Sequence, residues 1–334
     1  MPSKIDVLTR LDMHFSIKQM KDFLEMNKSS VMKFVFTGLT EKTEFNILLF
    51  IVFLHVYFTT VAGNVGIMVL SIIDKHLHKP MYLFLCNLSF VDLVYSSAIT
   101  PKMLRDFLSE TKTISFFGCA VQMHVFVFSA TNELLLLGIM AYDRYVAICS
   151  PLLYEALMSS NVCLWMLVAA YCGGFSNSLV QTVSTFYISF CRSNVIDHFF
   201  CDLPPLLRLS CSDISMNLAF QMILGGLISM CSIILILFSY TNIVLAILKI
   251  RSAQGKYKAF KTCASHLTVV SVFYGTIFFM YLRPNSSYAP QKDRIASVFY
   301  TILIPMLNPL IYSFRNTEVK NALKSSVKCC ILKV

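Results

Sequence analysis

Charge is scarce in this chain: Asp, Glu, Lys and Arg make up 14% of its 334 residues, where soluble domains carry about 25%. With hydrophobic residues at 56% and a mean hydropathy of +0.67, too few charges remain to cover a surface facing water, which excludes a soluble globular domain. The 11 glycines and 10 prolines are scattered. No segment repeats or falls to low complexity, so linked domains, solenoids and fibrous or disordered chains are excluded as well. Catalytic constellations are missing too. His124, His198 and His266 stand far apart, Cys191, Cys201 and Cys211 lack the short paired spacing of a zinc site, and no glycine loop could cradle a phosphate. Nothing points to an enzyme. Residues 1–45 are polar and mixed in sign, without the continuous apolar core of a signal peptide, although Ile5, Leu8, Leu11, Phe15 and Leu24 recur as in a weak amphipathic helix.

What is present is a series of seven apolar spans, at roughly 46–71, 80–104, 116–146, 163–184, 215–247, 262–283 and 293–314. Each is long enough to cross about 30 Å of hydrocarbon as a helix. The expected fold is an all-α membrane protein, a seven-transmembrane helix bundle over residues 46–314, between an N-terminal segment, 1–45, and a tail, 315–334. An odd number of crossings puts the termini on opposite sides. On one side thirteen Lys and Arg, among them Lys249, Arg251, Lys256, Lys258 and Lys261, face four acids; on the other, eight face six. The excess of positive charge marks the first side as cytoplasmic, with the N-terminus outside and the C-terminus cytoplasmic. The same placement accounts for the net charge of +10 without a nucleic-acid partner. Asn27-Lys28-Ser29 then lies outside, where it is an N-glycosylation acceptor pattern. In the tail, Lys320, Lys324 and Lys328 with Ala322 and Leu323 suit the inner leaflet's lipids, and Cys329 and Cys330 are available for palmitoylation.

The few polar residues inside the spans are informative, because an Asp at a helix centre costs about 2.5 to 3.5 kcal/mol on insertion scales. Gly63-Asn64, Asp92, Glu133 and Asn308-Pro309 lie at mid-span and can meet. Two carboxylates brought together either stay protonated and hydrogen-bonded or recruit a cation. Asp143-Arg144 stands where the third span meets water. An arginine there either snorkels, or pairs with its neighbour in one state and is freed for a soluble partner in another. In the third span Met123, Phe126, Val127, Ala130 and Thr131 recur at three and four, as do Tyr274, Ile277, Phe278 and Tyr281 in the sixth, so each set shares a face toward the outer half. Leu224, Gly225 and Ile228 of the fifth, with Val298 and Thr301 of the seventh, complete a ring holding no Lys, Arg, Asp or Glu. Such a ring favours a small, mostly apolar, uncharged ligand held by shape and one or two hydrogen bonds. Cys119, Cys191, Cys201 and Cys211 lie on the outer, oxidising side, where four cysteines allow three pairings.

The ten residues Met140-Ala141-Tyr142-Asp143-Arg144-Tyr145-Val146-Ala147-Ile148-Cys149 resemble the signature closing the third transmembrane helix of odorant receptors, within the rhodopsin-like G-protein-coupled receptors. Lys258-Ala259-Phe260-Lys261-Thr262-Cys263-Ala264-Ser265-His266-Leu267 is similar to that family's sixth-helix pattern, with Lys261 where Ser is frequent. Pro80-Met81-Tyr82-Leu83-Phe84-Leu85, with Leu83 in place of the usual Phe, and Pro305-Met306-Leu307-Asn308-Pro309-Leu310-Ile311-Tyr312 match further. Asn27 to Leu39 looks like the family's short amino terminus, which leaves residues 1–25 outside the pattern and Met26 as an alternative start. In order, the resemblance runs from Asn27 to about Leu323.

The resemblance implies an odorant receptor in the plasma membrane of olfactory sensory neurons, which binds a small volatile ligand, activates the stimulatory olfactory type of heterotrimeric G protein and needs no organic cofactor. It implies disulfides Cys119–Cys201 and Cys191–Cys211, and a sodium ion at Asp92 with Glu133 as a second acid. It places a switch in Asp143, Arg144, Tyr145, Tyr240, Lys258, His266, Asn308, Pro309 and Tyr312, with Tyr274 where related receptors have a toggle Trp. A transporter using Asp92 and Glu133 as a coupling-ion site would share the helix count, but the two halves show none of the internal symmetry usual in that class.

Overall fold

The structure, a computed structural model, describes residues 33–40, 43–191, 193–281, 290–316 and 318–324. Seven long helices form a bundle: α1 (Asn46–Ile73), α2 (Pro80–Phe107), α3 (Phe116–Cys149), α4 (Ser160–Phe186), α5 (Ser215–Lys249), α6 (Ala253–Tyr281) and α7, the last running through Pro290–Val298, Phe299–Leu303 and Ile304–Arg315. Each expected span becomes a helix. The boundaries differ most at α6, where the apolar pattern begins near 262 and the helix begins at Ala253. Hydropathy marks the hydrocarbon layer and not the end of hydrogen bonding, and Lys256 and Lys261 are good helix formers that carry the helix on into water. Six helices, α6 being the exception, are long and apolar enough to cross a membrane by themselves among the described residues.

Local chemistry sets the starts. Pro80 opens α2 where its missing N–H is no loss, and Ser115 caps α3 by accepting from the Gly118 N–H at 3.0 Å. Helix α3 runs through the middle of the bundle and packs on α2, α4 and α5. The outer faces are apolar: Phe58, Ile72 and Ile73 on α1 and Leu227, Ile234 and Leu237 on α5 are all more than half exposed. Side chains of that kind on the outside identify hydrocarbon as the surrounding solvent.

At one end of the bundle lies a sheet that no pattern in the sequence announced. β1 (Lys33–Phe36) sits between β2 (Thr113–Ser115), antiparallel with Lys33 opposite Ser115, and β3 (Val195–Ile196), parallel with Val35 opposite Val195. Phe34 and Phe36 point inward, 0% and 2% exposed, as alternation along a strand requires. Two disulfides close the same end, Cys119 to Cys201 and Cys191 to Cys211, with Cα atoms 5.5 and 5.9 Å apart. At the other end a short helix over 318–324 is capped by Asn316, whose Oδ1 accepts from the N–H of Glu318 at 3.0 Å and from Tyr82 Oη at 3.1 Å. Lys79 pairs with Glu318 at 2.8 Å. Val319 and Ala322 turn inward while Lys320 and Lys324 stay exposed. Asn27, Cys329 and Cys330 lie outside the described residues.

Candidate functional site

The long loop between α4 and α5 folds back over the disulfide end, and Gln122 of α3 clamps it. The Gln122 amide donates to the Ala98 carbonyl and its Oε1 accepts from the Cys201 N–H, both at 2.9 Å. With Cys201 tethered twice, the preceding His198, Phe199 and Phe200 are pressed into the bundle, 3%, 2% and 0% exposed. The Phe126 ring lies 5.1 Å from Phe200, 5.5 Å from Tyr95 and 6.2 Å from Tyr300. Ala130 and Val298 pack on the same cluster. Of the expected ring, then, Phe126, Ala130 and Val298 come together, joined by Tyr95, Phe200 and Tyr300, which sequence reasoning missed. A signal for Phe200 was present, since a residue next to a cysteine bound to the mouth of α3 must sit over that mouth.

The remaining ring residues are placed differently. Met123 and Val127 belong to a separate cluster with Phe34, Phe186 and Phe190 around the first disulfide. The Thr131 hydroxyl donates to the Val127 carbonyl at 2.7 Å and accepts from the Asn177 amide at 2.9 Å, so it serves the α3–α4 contact. Thr301 is buried and donates to the Ser297 carbonyl at 2.7 Å. Tyr274 Oη donates to Ser232 Oγ at 2.9 Å, and Ser232 in turn to the Leu134 carbonyl at 2.6 Å, a link from α6 through α5 to α3. Leu224 and Gly225 fall in a wide π turn of α5, Gln221–Gly225, with Ile228 just beyond it. The side chains of Ile277, Phe278 and Tyr281 lie outside the described residues. A cavity of about 840 Å³ is found between α4 and α5 and touches none of these residues.

Above the aromatic cluster a polar chain ties the loop to α7. Tyr300 Oη reaches Asp202 Oδ2 at 3.4 Å and Ser297 Oγ at 2.8 Å, and His198 Nε2 lies 3.1 Å from the same Ser297 Oγ. Arg294 donates to the Gly38 carbonyl at 2.9 Å and faces Asp197 at 3.6 Å. Burial, reinforced by the positive Arg294, pushes His198 down to about 3. Burial, opposed by the Leu203 N–H and Tyr300, pushes Asp202 up to about 6. The two act oppositely on acidification. Between the ordinary histidine value of 6.5 and about 3 the unfolded loop takes up a proton that buried His198 refuses, which loosens the fold. Between 3.8 and about 6 docked Asp202 takes up a proton first, which tightens it. Between pH 6.5 and 5 the two effects are of similar size and opposite sign, so single variants separate them. We expect Asp202→Asn to make the docked loop less protected from hydrogen exchange as pH falls through this range, and His198→Asn to make it more protected. A His198→Asn profile identical to that of the wild type would remove the histidine from this role.

Midway through the bundle Asn308 donates to Asp92 Oδ2 at 2.9 Å and to Glu133 Oε1 at 3.2 Å. All three are buried, and Asp92 Oδ1 and Glu133 Oε2 have no hydrogen-bond partner. The residue after Asn308, Pro309, has no N–H to give the Pro305 carbonyl, and Asn64 of α1 donates to that carbonyl instead, at 3.0 Å. A Cβ on Gly63 would lie 3.0 Å from the Pro309 ring, a contact tight enough that α1 and α7 would have to shift apart by a few tenths of an ångström.

At the far end Arg144 donates to Asp143 Oδ2 through Nε at 3.0 Å and through a terminal nitrogen at 2.5 Å. Asp143 is fully buried and its other oxygen accepts from Tyr154 Oη at 2.8 Å. Tyr154, in the turn Tyr154–Leu157, carried no sequence signal for this role. Tyr240 and His266 join α5 to α6 through Oη and Nδ1 at 2.7 Å. Tyr145 packs on Phe238, and Tyr312 is buried with its hydroxyl unpaired. The Lys258 side chain lies outside the described residues.

Comparison with known proteins places this architecture. A family model described as olfactory receptor matches residues 53–329. Olfactory receptor 5AR1 of Mus musculus is 54% identical over 301 residues, spanning 90% of this chain and 97% of that one. Olfactory receptor 5A1 of Homo sapiens is 53% identical over 297 residues, 89% of this chain and 94% of its own. Among solved structures, squid rhodopsin aligns with a TM-score of 0.68 over 85% of this chain and 81% of that chain, at 17% identity, a likeness of fold alone. A disulfide-tethered lid above an aromatic cluster, a buried Asp-Glu-Asn triad and an Asp-Arg pair at the opposite end, in a chain half identical to these relatives over nine-tenths of its length, show that it belongs to the olfactory receptor family and is a receptor, not an enzyme.

Proposed function

We propose that this receptor binds a small, mostly apolar, uncharged volatile ligand beneath the tethered loop and passes the signal to a stimulatory heterotrimeric G protein at the Arg144 end. The observation that carries the reading is the packing of Phe126 against Phe200, Tyr95 and Tyr300, an aromatic cluster beneath the tethered loop. The basic residues flanking α5 and α6 orient the Arg144 end toward the cytoplasm. Residues 1–45, with a glycan on Asn27, then form the outer segment, 46–314 the membrane domain and 315–334 the cytoplasmic tail along the inner leaflet. The setting is the plasma membrane of olfactory sensory neurons. A screen of volatile compounds against a cyclic-AMP reporter tests the assignment. For any compound found, Phe126→Ala should shift the half-maximal concentration by about tenfold or more, the scale of one lost aromatic contact set; an unshifted curve places the ligand elsewhere.

The midpoint triad fits a sodium ion. Asp92 Oδ1 and Glu133 Oε2 are buried acceptors without a donor, and a cation between them would neutralise the repulsion of two carboxylates. Asp92 and Glu133 would hold the ion while Asn308 keeps both carboxylates oriented. We expect Asp92→Asn and Glu133→Gln each to change basal signalling and abolish any dependence of agonist potency on sodium. If both variants keep the wild-type basal level and sodium response, the triad is a hydrogen-bonded packing element only.

A further inference from the structure

The cavity of about 840 Å³ between α4 and α5 has the build of a binding site, although none of the residues argued above lines it. Its walls are apolar, with Leu179, Val180 and Val183 on α4 facing Met216 and Phe220 on α5. Of the polar side chains that line it, Ser184, Ser189, Ser212, Asp213 and Asn217, one is buried. Asn217 is 5% exposed, it lines the groove, and its Nδ2 has no hydrogen-bond partner. A buried amide donor left unpaired is destabilising by about 1 to 3 kcal/mol, and the broad, soft terminal torsion of Asn lets it turn toward an acceptor that enters. Asp213 stands at the mouth with its carboxylate fully exposed, one oxygen accepting from the Ser215 N–H at 2.9 Å. Asp213 lies two residues before α5 begins at Ser215 and Asn217 two residues inside it, so the charge sits nearer to water than the amide, and on α4 the wall from Ser184 to Leu179 extends about 8 Å along the helix axis.

We propose that this groove binds a zwitterionic phospholipid of the leaflet at the disulfide end. Three features succeed one another along the membrane normal in the order of the lipid's own parts. The Asp213 carboxylate meets the choline ammonium, Asn217 donates to a glycerol ester carbonyl, and the apolar walls of α4 and α5 take the upper part of an acyl chain. The negative mouth repels anionic headgroups and free fatty acids. The site is separate from the aromatic floor under Phe200 and does not depend on that assignment.

The test is photo-crosslinking of the full-length receptor in nanodiscs. Phosphatidylcholine with a diazirine in its acyl chain is compared with the phosphatidylglycerol analogue and with a photoactivatable sterol, and labelled peptides are mapped. Preferential labelling of the α4 and α5 peptides by the choline lipid, several-fold over the glycerol lipid, is the expected result. Asp213→Asn keeps the bond to the Ser215 N–H and should erase the headgroup preference; Asn217→Leu should lower labelling by both phospholipids at this groove while labelling of α1 stays unchanged. Equal labelling by both headgroups in the wild type, with no effect of Asn217→Leu, means ordinary boundary lipid and overturns the proposal. Labelling by the sterol in place of the choline lipid overturns the assigned occupant.

Discussion

Arg144→Ala is expected to abolish the cyclic-AMP response to odorant while the receptor still reaches the cell surface. Arg144 lies 25 residues after Cys119 on one helix, about 37 Å at 1.5 Å per residue, so a ligand beside Phe126 cannot touch it. Its influence has to pass through an element with two stable positions. Helix α6 is placed for this, because a hydrogen bond from Tyr274 to Ser232 ties it to α5 in its outer half and another between His266 and Tyr240 ties it to α5 nearer the Arg144 end. On the proposed mechanism, outward movement of its basic first turns would uncover Arg144 and Tyr240 and admit a helix of the G protein. A coupling energy of about 1 to 3 kcal/mol is enough. The arrangement around Asp143 refines the expectation. Asp143 is held by Arg144 on one oxygen and by Tyr154 on the other, so Tyr154→Phe should weaken the resting pair and raise basal signalling, the opposite of Arg144→Ala. A surface-expressed Arg144→Ala receptor with a normal dose-response curve would reduce this arginine to a membrane-edge anchor.

Replacing Cys119 and Cys201 together with serine should nearly eliminate surface expression, with a smaller loss for the Cys191 and Cys211 pair. The first bridge closes 82 residues of chain and the second 20. Loop-closure entropy assigns them about 4.5 and 3.3 kcal/mol respectively, upper values for a denatured state that is already compact. Against a total stability of about 5 to 15 kcal/mol either loss is large. The first pair has a further burden, since Cys201 anchors Phe200 over Phe126, so any receptor that survives should have lost its odorant response. Flow cytometry of surface-labelled cells ranks the two double variants. Equal expression, or a greater loss for the second pair, contradicts the assignment of Cys119–Cys201 as the principal tether.

How much of this was legible depends on the range of the interaction concerned. Helices α1 to α7 follow from apolar length alone, because in hydrocarbon a backbone has to satisfy its own hydrogen bonds. The Asp143-Arg144 pair is adjacent in sequence and was readable for that reason. The strand Lys33–Phe36 was not, since four residues of alternation are too few to stand out and its partners lie 80 and 160 residues away. The expected ring on α3 shows the limit. Helical spacing put five residues on one face; Phe126 and Ala130 pack in one cluster, while Met123, Val127 and Thr131 are taken up by the loop and by α4. Spacing gives a direction from the helix axis and carries no information about which neighbour occupies it.

By itself, then, the sequence determined the membrane class, the seven crossings and the family, because each rests on composition or on residues contiguous along the chain. Only the tertiary structure decided that Asn308 reaches both Asp92 and Glu133, that Asn64 replaces the hydrogen bond Pro309 cannot make, that Tyr154 completes the hold on Asp143, and that Phe200 lies on Phe126. Those contacts join residues from 11 to 241 positions apart. They are settled by how the helices tilt and pack in a dense interior, where a buried polar group is stable only beside a partner that the whole bundle brings to it.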